Sequence, residues 1–125
     1  IRYASIPGLP GAIGPYSTFV HYDNLIFISG QIGVSPTTSL LISDEVTDQT
    51  KQILTNISTI LTHLKLAPSN VIKTTIFITQ MSYFKDVNSL YAQFFEGCYP
   101  ARSTVRISEL PLSAKIEIEL IVSAP

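Results

Sequence analysis

Apolar residues fall into seven blocks along the chain, and the spacing within each block predicts its secondary structure. Residues 18–21 and 24–29 are two apolar runs around Tyr22-Asp23, the pattern of a β-hairpin. Within the second run Leu25, Ile26, Phe27 and Ile28 are apolar at every position, which predicts a strand covered on both faces. From about residue 44 to 66, Ile53, Leu54, Ile57, Ile60, Leu61 and Leu64 follow the three-and-four spacing of an amphipathic helix of about five turns. It is predicted to stop before Pro68, because proline pushes the residue before it out of the helical region. Residues 71–79 are β-branched and rich in Ile, Thr and Phe, hence a strand. A second helix is predicted from about Ser82, a good N-cap type, with Phe84, Val87, Leu90, Tyr91, Phe94 and Phe95 along one face and an end at Gly97 and Pro100. Residues 102–107 and 114–122 form the last two strands, separated by a turn around Pro111. In the final strand Lys115, Glu117 and Glu119 take one face, and Ile116, Ile118, Leu120 and Val122 the other.

The order β-β-α-β-α-β-β, with two one-sided helices and no repeat, predicts an α+β fold with both helices on one face of a mixed sheet. The sheet's other face either stays wet or is covered. The doubly apolar run at residues 25–28 favours packing against another sheet, most simply a second copy of the chain. Pro7, Gly8, Pro10, Gly11, Gly14 and Pro15 predict an irregular arm before the first strand, and residues 30–43 a loop turning at Pro36, Thr37 and Thr38.

Composition sharpens this outline. A chain of 125 residues is expected to be a single domain, residues 1–125. Hydrophobic residues make up 46% and charged residues 14%, few enough charges to suggest that apolar surface is hidden between subunits. Eight Lys and Arg against nine Asp and Glu give a net charge of -1 with no basic run, so nucleic acid is not expected as a partner. No apolar run approaches the roughly 20 residues of a membrane span. Residues 1–9 lack the charged start and long apolar stretch of a secretory signal, so a cytoplasmic protein is expected, or a mitochondrial one if a targeting segment has been removed. The single Cys98 excludes an internal disulfide, fits a reducing compartment, and is expected to be packing filler. His21 and His63 have no ligand spacing to each other or to Cys98, so no metal site is expected.

Candidate chemistry centres on Arg102, in the run Pro100-Ala101-Arg102-Ser103-Thr104-Val105. A guanidinium stays charged and offers a planar fork of donors, so at the head of an apolar strand it binds a carboxylate ligand, pairs with a neighbouring Asp or Glu, or snorkels to water. Tyr16, in Gly14-Pro15-Tyr16-Ser17, is either a turn aromatic capping the core or a hydroxyl that orients a polar ligand. Ser29 and Gly30 end the doubly apolar strand; the glycine admits close approach, and Ser29 suits hydrogen bonding better than nucleophilic attack. Asn88 lies on the second helix, facing solvent or a ligand. Glu117 is either a surface carboxylate or, if an interface buries it, a proton carrier with a raised pKa.

Taken together, Gly14-Pro15-Tyr16-Ser17, Ile28-Ser29-Gly30-Gln31-Ile32, the run Val71-Ile72-Lys73-Thr74-Thr75-Ile76-Phe77, Val87-Asn88-Ser89-Leu90-Tyr91, Phe94-Phe95, the Arg102 run and Lys115-Ile116-Glu117-Ile118-Glu119 resemble the RidA/YjgF family, in order and over essentially the whole chain. The resemblance implies a chorismate-mutase-like (ferredoxin-like) domain, assembled as a homotrimer with the sheets in a barrel-like core and a site in each cleft between subunits. It also implies a metal-free and cofactor-free deaminase that hydrolyses 2-aminoacrylate or 2-imino acids to 2-keto acids and ammonia. By resemblance Arg102 anchors the substrate carboxylate and Glu117 relays protons to and from a water. Tyr16, Ser29 and Asn88 line the pocket, and Gly30, Ile32 and Thr104 add backbone groups. Many bacterial members of the family have Cys where this chain has Thr104, so a thiol cannot be required there. Two further readings stay open: a module that binds 2-keto or short carboxylic acids without turnover, and a ribonuclease or translation inhibitor, which the charge balance disfavours.

Overall fold

The computed structural model describes residues 1–3 and 6–125; residues 4 and 5, within the expected irregular arm, lie outside the described residues. The strands are β1 (Arg2–Tyr3), β2 (Phe19–Tyr22), β3 (Leu25–Gln31), β4 (Val71–Ile78), β5 (Ala101–Arg106) and β6 (Ile116–Ser123), with helices α1 (Val46–His63) and α2 (Phe84–Phe95). The sheet runs β1-β2-β3-β6-β4-β5, and it is mixed because β4 and β5 are parallel while the other neighbours are antiparallel. The α+β order predicted from the apolar spacing is therefore present, with β1 added ahead of it. That pair of residues bonds along β2, Arg2 opposite Val20 and Tyr3 opposite Phe19. Two residues are too few to carry a period, so the sequence shows them only as part of the arm.

Register explains which faces are buried. Ile26 pairs with Val122, Ile28 and Thr74 with Leu120, Ile76 with Ile118, and Ile78 with Ile116, so these side chains share one face. They join Ile53, Ile57, Ile60 and Leu61 of α1 and Val87, Tyr91 and Phe95 of α2 in one buried cluster, which puts both helices on that face. The opposite face is open: Phe27 is 42% and Val105 41% exposed. The expectation of a strand covered on both sides is thus met within the chain on one side only. The pleat sends Ile26 and Ile28 inward and Phe27 outward, and among the described residues no helix or strand covers Phe27.

Two local expectations are corrected. Ser82 does not cap α2; it lies in a 3-10 turn, Met81–Tyr83, and the cap position falls to Tyr83 without a side-chain hydrogen bond. Cys98 is exposed rather than packed. The reason is the left-handed stop of α2, where Glu96 at φ 49° and Gly97 at φ +86° reverse the chain and carry residues 98 and 99 away from the core.

Candidate functional site

The residues singled out in the sequence gather into two groups on opposite faces of the sheet. The first lies where the edge strand β5 meets α2. Arg102 pairs in register with Thr74, whose fully buried side chain points toward the helices. Arg102 therefore rises on the helical side, and its guanidinium carbon lies 4.9 Å from the Tyr91 ring centre and 5.4 Å from that of Phe84. Among the described residues it meets no carboxylate, so the salt-bridge explanation of this arginine does not hold. Arg102 lines a cleft of about 310 Å³ with Asn88, Tyr91, Ala92, Tyr99 and Pro100. Asn88 Oδ1 and Thr104 Oγ1 are buried side-chain oxygens without a hydrogen-bond partner among the described residues. Buried oxygens of this kind are rare in folded proteins and mark places where a further group can bind.

The second group lies on the open face, where β3 runs beside β6. Tyr16, Ser29, Gly30, Ile32 and Glu117 line a cleft of about 350 Å³, together with Ile13, Pro111 and Glu119. A β-bulge shapes it. Ile28 pairs with Leu120 and Gln31 with Ile118, so Ser29 and Gly30 together oppose the single residue Glu119. The bulge brings Gly30 against the Glu117 side chain so closely that a Cβ on residue 30 would lie 2.0 Å from Glu117 Oε1. The Ser29 hydroxyl donates to the Ser17 carbonyl at 2.6 Å, which ties the arm to β3, and the Ile13 amide donates to the Tyr16 hydroxyl at 3.4 Å. Burial pushes the Glu117 carboxyl above the ordinary range, and the neighbouring Glu119 charge pushes it further. This is the direction that suits a group exchanging protons near neutrality.

Arg102 and Asn88 are thus together, as are Tyr16, Ser29, Gly30, Ile32 and Glu117, but one chain does not bring the two groups to one point. Glu117 pairs with Phe77, and Phe77 with Val105, all on the open face. Arg102 is on the other face and two strands away, about 10 Å across the sheet. Sequence reasoning missed Tyr91, Phe84 and Glu119 as site residues. Tyr91 and Phe84 were visible as members of the apolar face of α2, and their positions at i and i+7 around Asn88 at i+4 were the available signal. Among the described residues no three His, Cys, Asp or Glu side chains cluster as metal ligands, and no helix is long and apolar enough to cross a membrane.

Comparison with known proteins supplies the family. Residues 8–124 match the family model described as Endoribonuclease L-PSP. The chain is 46% identical over 114 residues to the chloroplastic Reactive Intermediate Deaminase A of Arabidopsis thaliana, a match covering 91% of this chain and 61% of that longer protein. It is 41% identical over 120 residues to the human 2-iminobutanoate/2-iminopropanoate deaminase, covering 96% of this chain and 88% of the human protein. Its fold superposes on the crystal structure of E. coli TdcF with bound serine at a TM-score of 0.92 and 37% identity, over all of both chains. The chain therefore belongs to the endoribonuclease L-PSP family, the RidA/YjgF family that its collinear motifs resemble.

Proposed function

We infer that the protein is a hydrolytic deaminase that converts 2-aminoacrylate and 2-imino acids to 2-keto acids and ammonia. Support comes from the human relative named as a deaminase of 2-iminobutanoate and 2-iminopropanoate and the plant relative named as a reactive intermediate deaminase. The observation that carries the reading is Arg102: a guanidinium in a cleft, close to two ring faces and meeting no carboxylate among the described residues. The serine bound to TdcF is an amino acid of the size and charge that such a group would hold.

The chemistry needs water and proton transfer alone. Arg102 takes the substrate carboxylate through two parallel N–H donors, which fixes the imine carbon in place. Protonation of the imine nitrogen makes that carbon electrophilic. Water adds to it, one water proton passing to Glu117. Glu117 returns its proton to the nitrogen of the resulting aminoalcohol, which expels ammonia as the carbonyl forms, and the hydroxyl proton passes to water, replacing the one that water gave the imine nitrogen. A carboxyl with a raised pKa is suited to both halves of this exchange. Tyr16, Ser29 and Asn88 orient substrate and water, and the backbone at Gly30, Ile32 and Thr104 adds hydrogen bonds.

Arg102 and Glu117 act on one small molecule only if they come from different subunits. The open sheet face, with Phe27 and Val105 exposed, is the surface on which copies of the chain meet as a homotrimer. Each site is then the Arg102 cleft of one subunit closed by the Glu117 cleft of the next. A reducing compartment, cytoplasmic or organellar, suits a chain whose one thiol is free.

The test generates 2-aminoacrylate in situ with a serine or threonine dehydratase and follows keto-acid release. The protein accelerates release over the spontaneous reaction, and Arg102→Ala removes the acceleration while the protein stays folded. No acceleration together with saturable 2-oxobutanoate binding would leave a binding module instead.

A further inference from the structure

We propose that Tyr91, tied to Thr74, and Phe84 form an aromatic cradle that holds the Arg102 guanidinium ready for a substrate carboxylate. The proposal rests on the reading of Arg102 as the carboxylate anchor and assigns Tyr91 and Phe84 to it as positioning residues.

An arginine that must receive an anion faces conflicting demands. Its long stem has to be held in one rotamer, and the usual means, an Asp or Glu partner, occupies the donor fork and opposes the incoming negative charge. Ring faces meet both demands, because they attract a cation through the quadrupole of the ring and carry no net charge. Arg102 lies within 5.4 Å of two such faces and meets no carboxylate among the described residues.

The cradle is built into the fold. Phe84, Asn88 and Tyr91 sit at i, i+4 and i+7 of α2 and so share one stripe of the helix. On the sheet side, Thr74 is level with Arg102 on the adjoining strand. Its hydroxyl oxygen is 2.7 Å from the Tyr91 hydroxyl, and both side chains are buried. That bond pins the far end of the Tyr91 ring, and the ring's tilt sets where the guanidinium rests. Phe84, half-buried at the first turn of α2, supplies the other face. Burial pushes the Tyr91 hydroxyl above its ordinary range, so it remains protonated and hydrogen-bonded to Thr74.

The experiment compares Tyr91→Leu, Tyr91→Phe, Phe84→Leu and Arg102→Ala in the full-length chain, with melting temperature recorded for each. Affinity for 2-oxobutanoate is measured by calorimetry, and KM and kcat are measured for the imine produced in situ. Tyr91→Leu and Phe84→Leu each weaken 2-oxobutanoate binding and raise KM on the order of tenfold, with kcat within about twofold. Tyr91→Phe keeps the ring face but loses the Thr74 tie, so its affinity and KM lie between those of wild type and Tyr91→Leu, changed by about threefold. Melting temperature falls for Tyr91→Leu under either role because the ring is buried, and a purely structural role for Tyr91 is distinguished by affinity left untouched in the folded protein. If Tyr91→Leu does not fold, the Phe84→Leu and Tyr91→Phe pair carries the same comparison. Folded Tyr91→Leu or Phe84→Leu protein with wild-type affinity, beside an Arg102→Ala protein that has lost binding, overturns the cradle and leaves the anchor intact. Wild-type affinity in Arg102→Ala overturns the anchor itself.

Discussion

Gly30→Ala isolates the placement of Glu117 from its chemistry. Gly30 has no left-handed backbone angle, so alanine is sterically acceptable to its own main chain, and the three atoms nearest the added carbon all belong to Glu117. An added methyl would lie 2.0 Å from Oε1, 2.6 Å from Cδ and 2.9 Å from Cγ of Glu117. Ordinary contact begins near 3.4 Å, so the carboxylate oxygen must withdraw by about 1.4 Å. All three atoms belong to a half-buried, flexible side chain that can swing toward the open face, so the fold loses about 1 kcal/mol or less. A displacement of about 1 Å in a catalytic group costs roughly 10²-fold in rate. Gly30→Ala is therefore expected to lower kcat/KM for in-situ 2-aminoacrylate about a hundredfold, with a melting temperature within a few degrees of wild type. Binding of 2-oxobutanoate, anchored by Arg102, falls much less. A folded Gly30→Ala protein with kcat/KM within about threefold of wild type would refute the requirement for Glu117 at this point.

Other perturbations probe the rest of the molecule. If each site joins two subunits, inactive Arg102→Ala and Glu117→Gln proteins unfolded and refolded together at equal ratio recover about a quarter of wild-type activity, since half of each half-site type is intact; no recovery despite mixed assembly would sink the shared site. Gly33→Ala, in contrast to Gly30→Ala, meets backbone, with its methyl 2.7 Å from Gln49 Cα and 2.8 Å from the Gln49 carbonyl oxygen in α1. It is expected to destabilise by about 1–3 kcal/mol in denaturant unfolding, and an unchanged midpoint would contradict that close packing. Thr74→Val and Tyr91→Phe each leave a buried hydroxyl without its partner and cost about 1–3 kcal/mol, whereas the double variant costs less than their sum; strict additivity would deny the hydrogen bond. Because the folded protein holds the Glu117 proton more tightly than the unfolded chain, stability falls as pH rises from about 4.5 through the raised value. Glu117→Gln flattens that part of the profile, measured by denaturant midpoints at a series of pH values, and an unaltered slope would show that the carboxyl is not perturbed.

How far the sequence could be read differs between elements. The apolar part of the core face of α1 was legible, since Ile53, Leu54, Ile57, Ile60 and Leu61 repeat with the helix and are all buried, whereas the buried polar Gln49, Thr50 and Asn56 on the same helix carry no apolar signal. The alternation in β6 likewise placed Glu117 and Glu119 on the face opposite Ile116, Ile118 and Leu120. The start of α2 was less legible, because the cap residue type at Ser82 is equally at home in the 3-10 turn that precedes the helix. Tyr91 shows the limit more sharply. Its helical spacing marks it as core, which it is, but nothing local reveals that its hydroxyl finds Thr74 and its ring finds Arg102.

By itself the sequence determined the two helices, the five longer strands, the inward face of α1 and of β6, the family and the residue types available for chemistry. All of these follow from local periodicity or from collinear motifs. Only the tertiary structure decided which of those residues meet. Strand order puts β4 between β5 and β6, register sets Arg102 level with Thr74 and Glu117 level with Phe77, and a bulge at Ser29 and Gly30 brings β3 onto the Glu117 carboxylate. Those pairings join residues far apart in the chain, and they depend on how whole faces pack rather than on the order of neighbouring side chains. That is why Arg102 and Glu117 stand out together in the sequence and yet lie on opposite faces of one subunit's sheet.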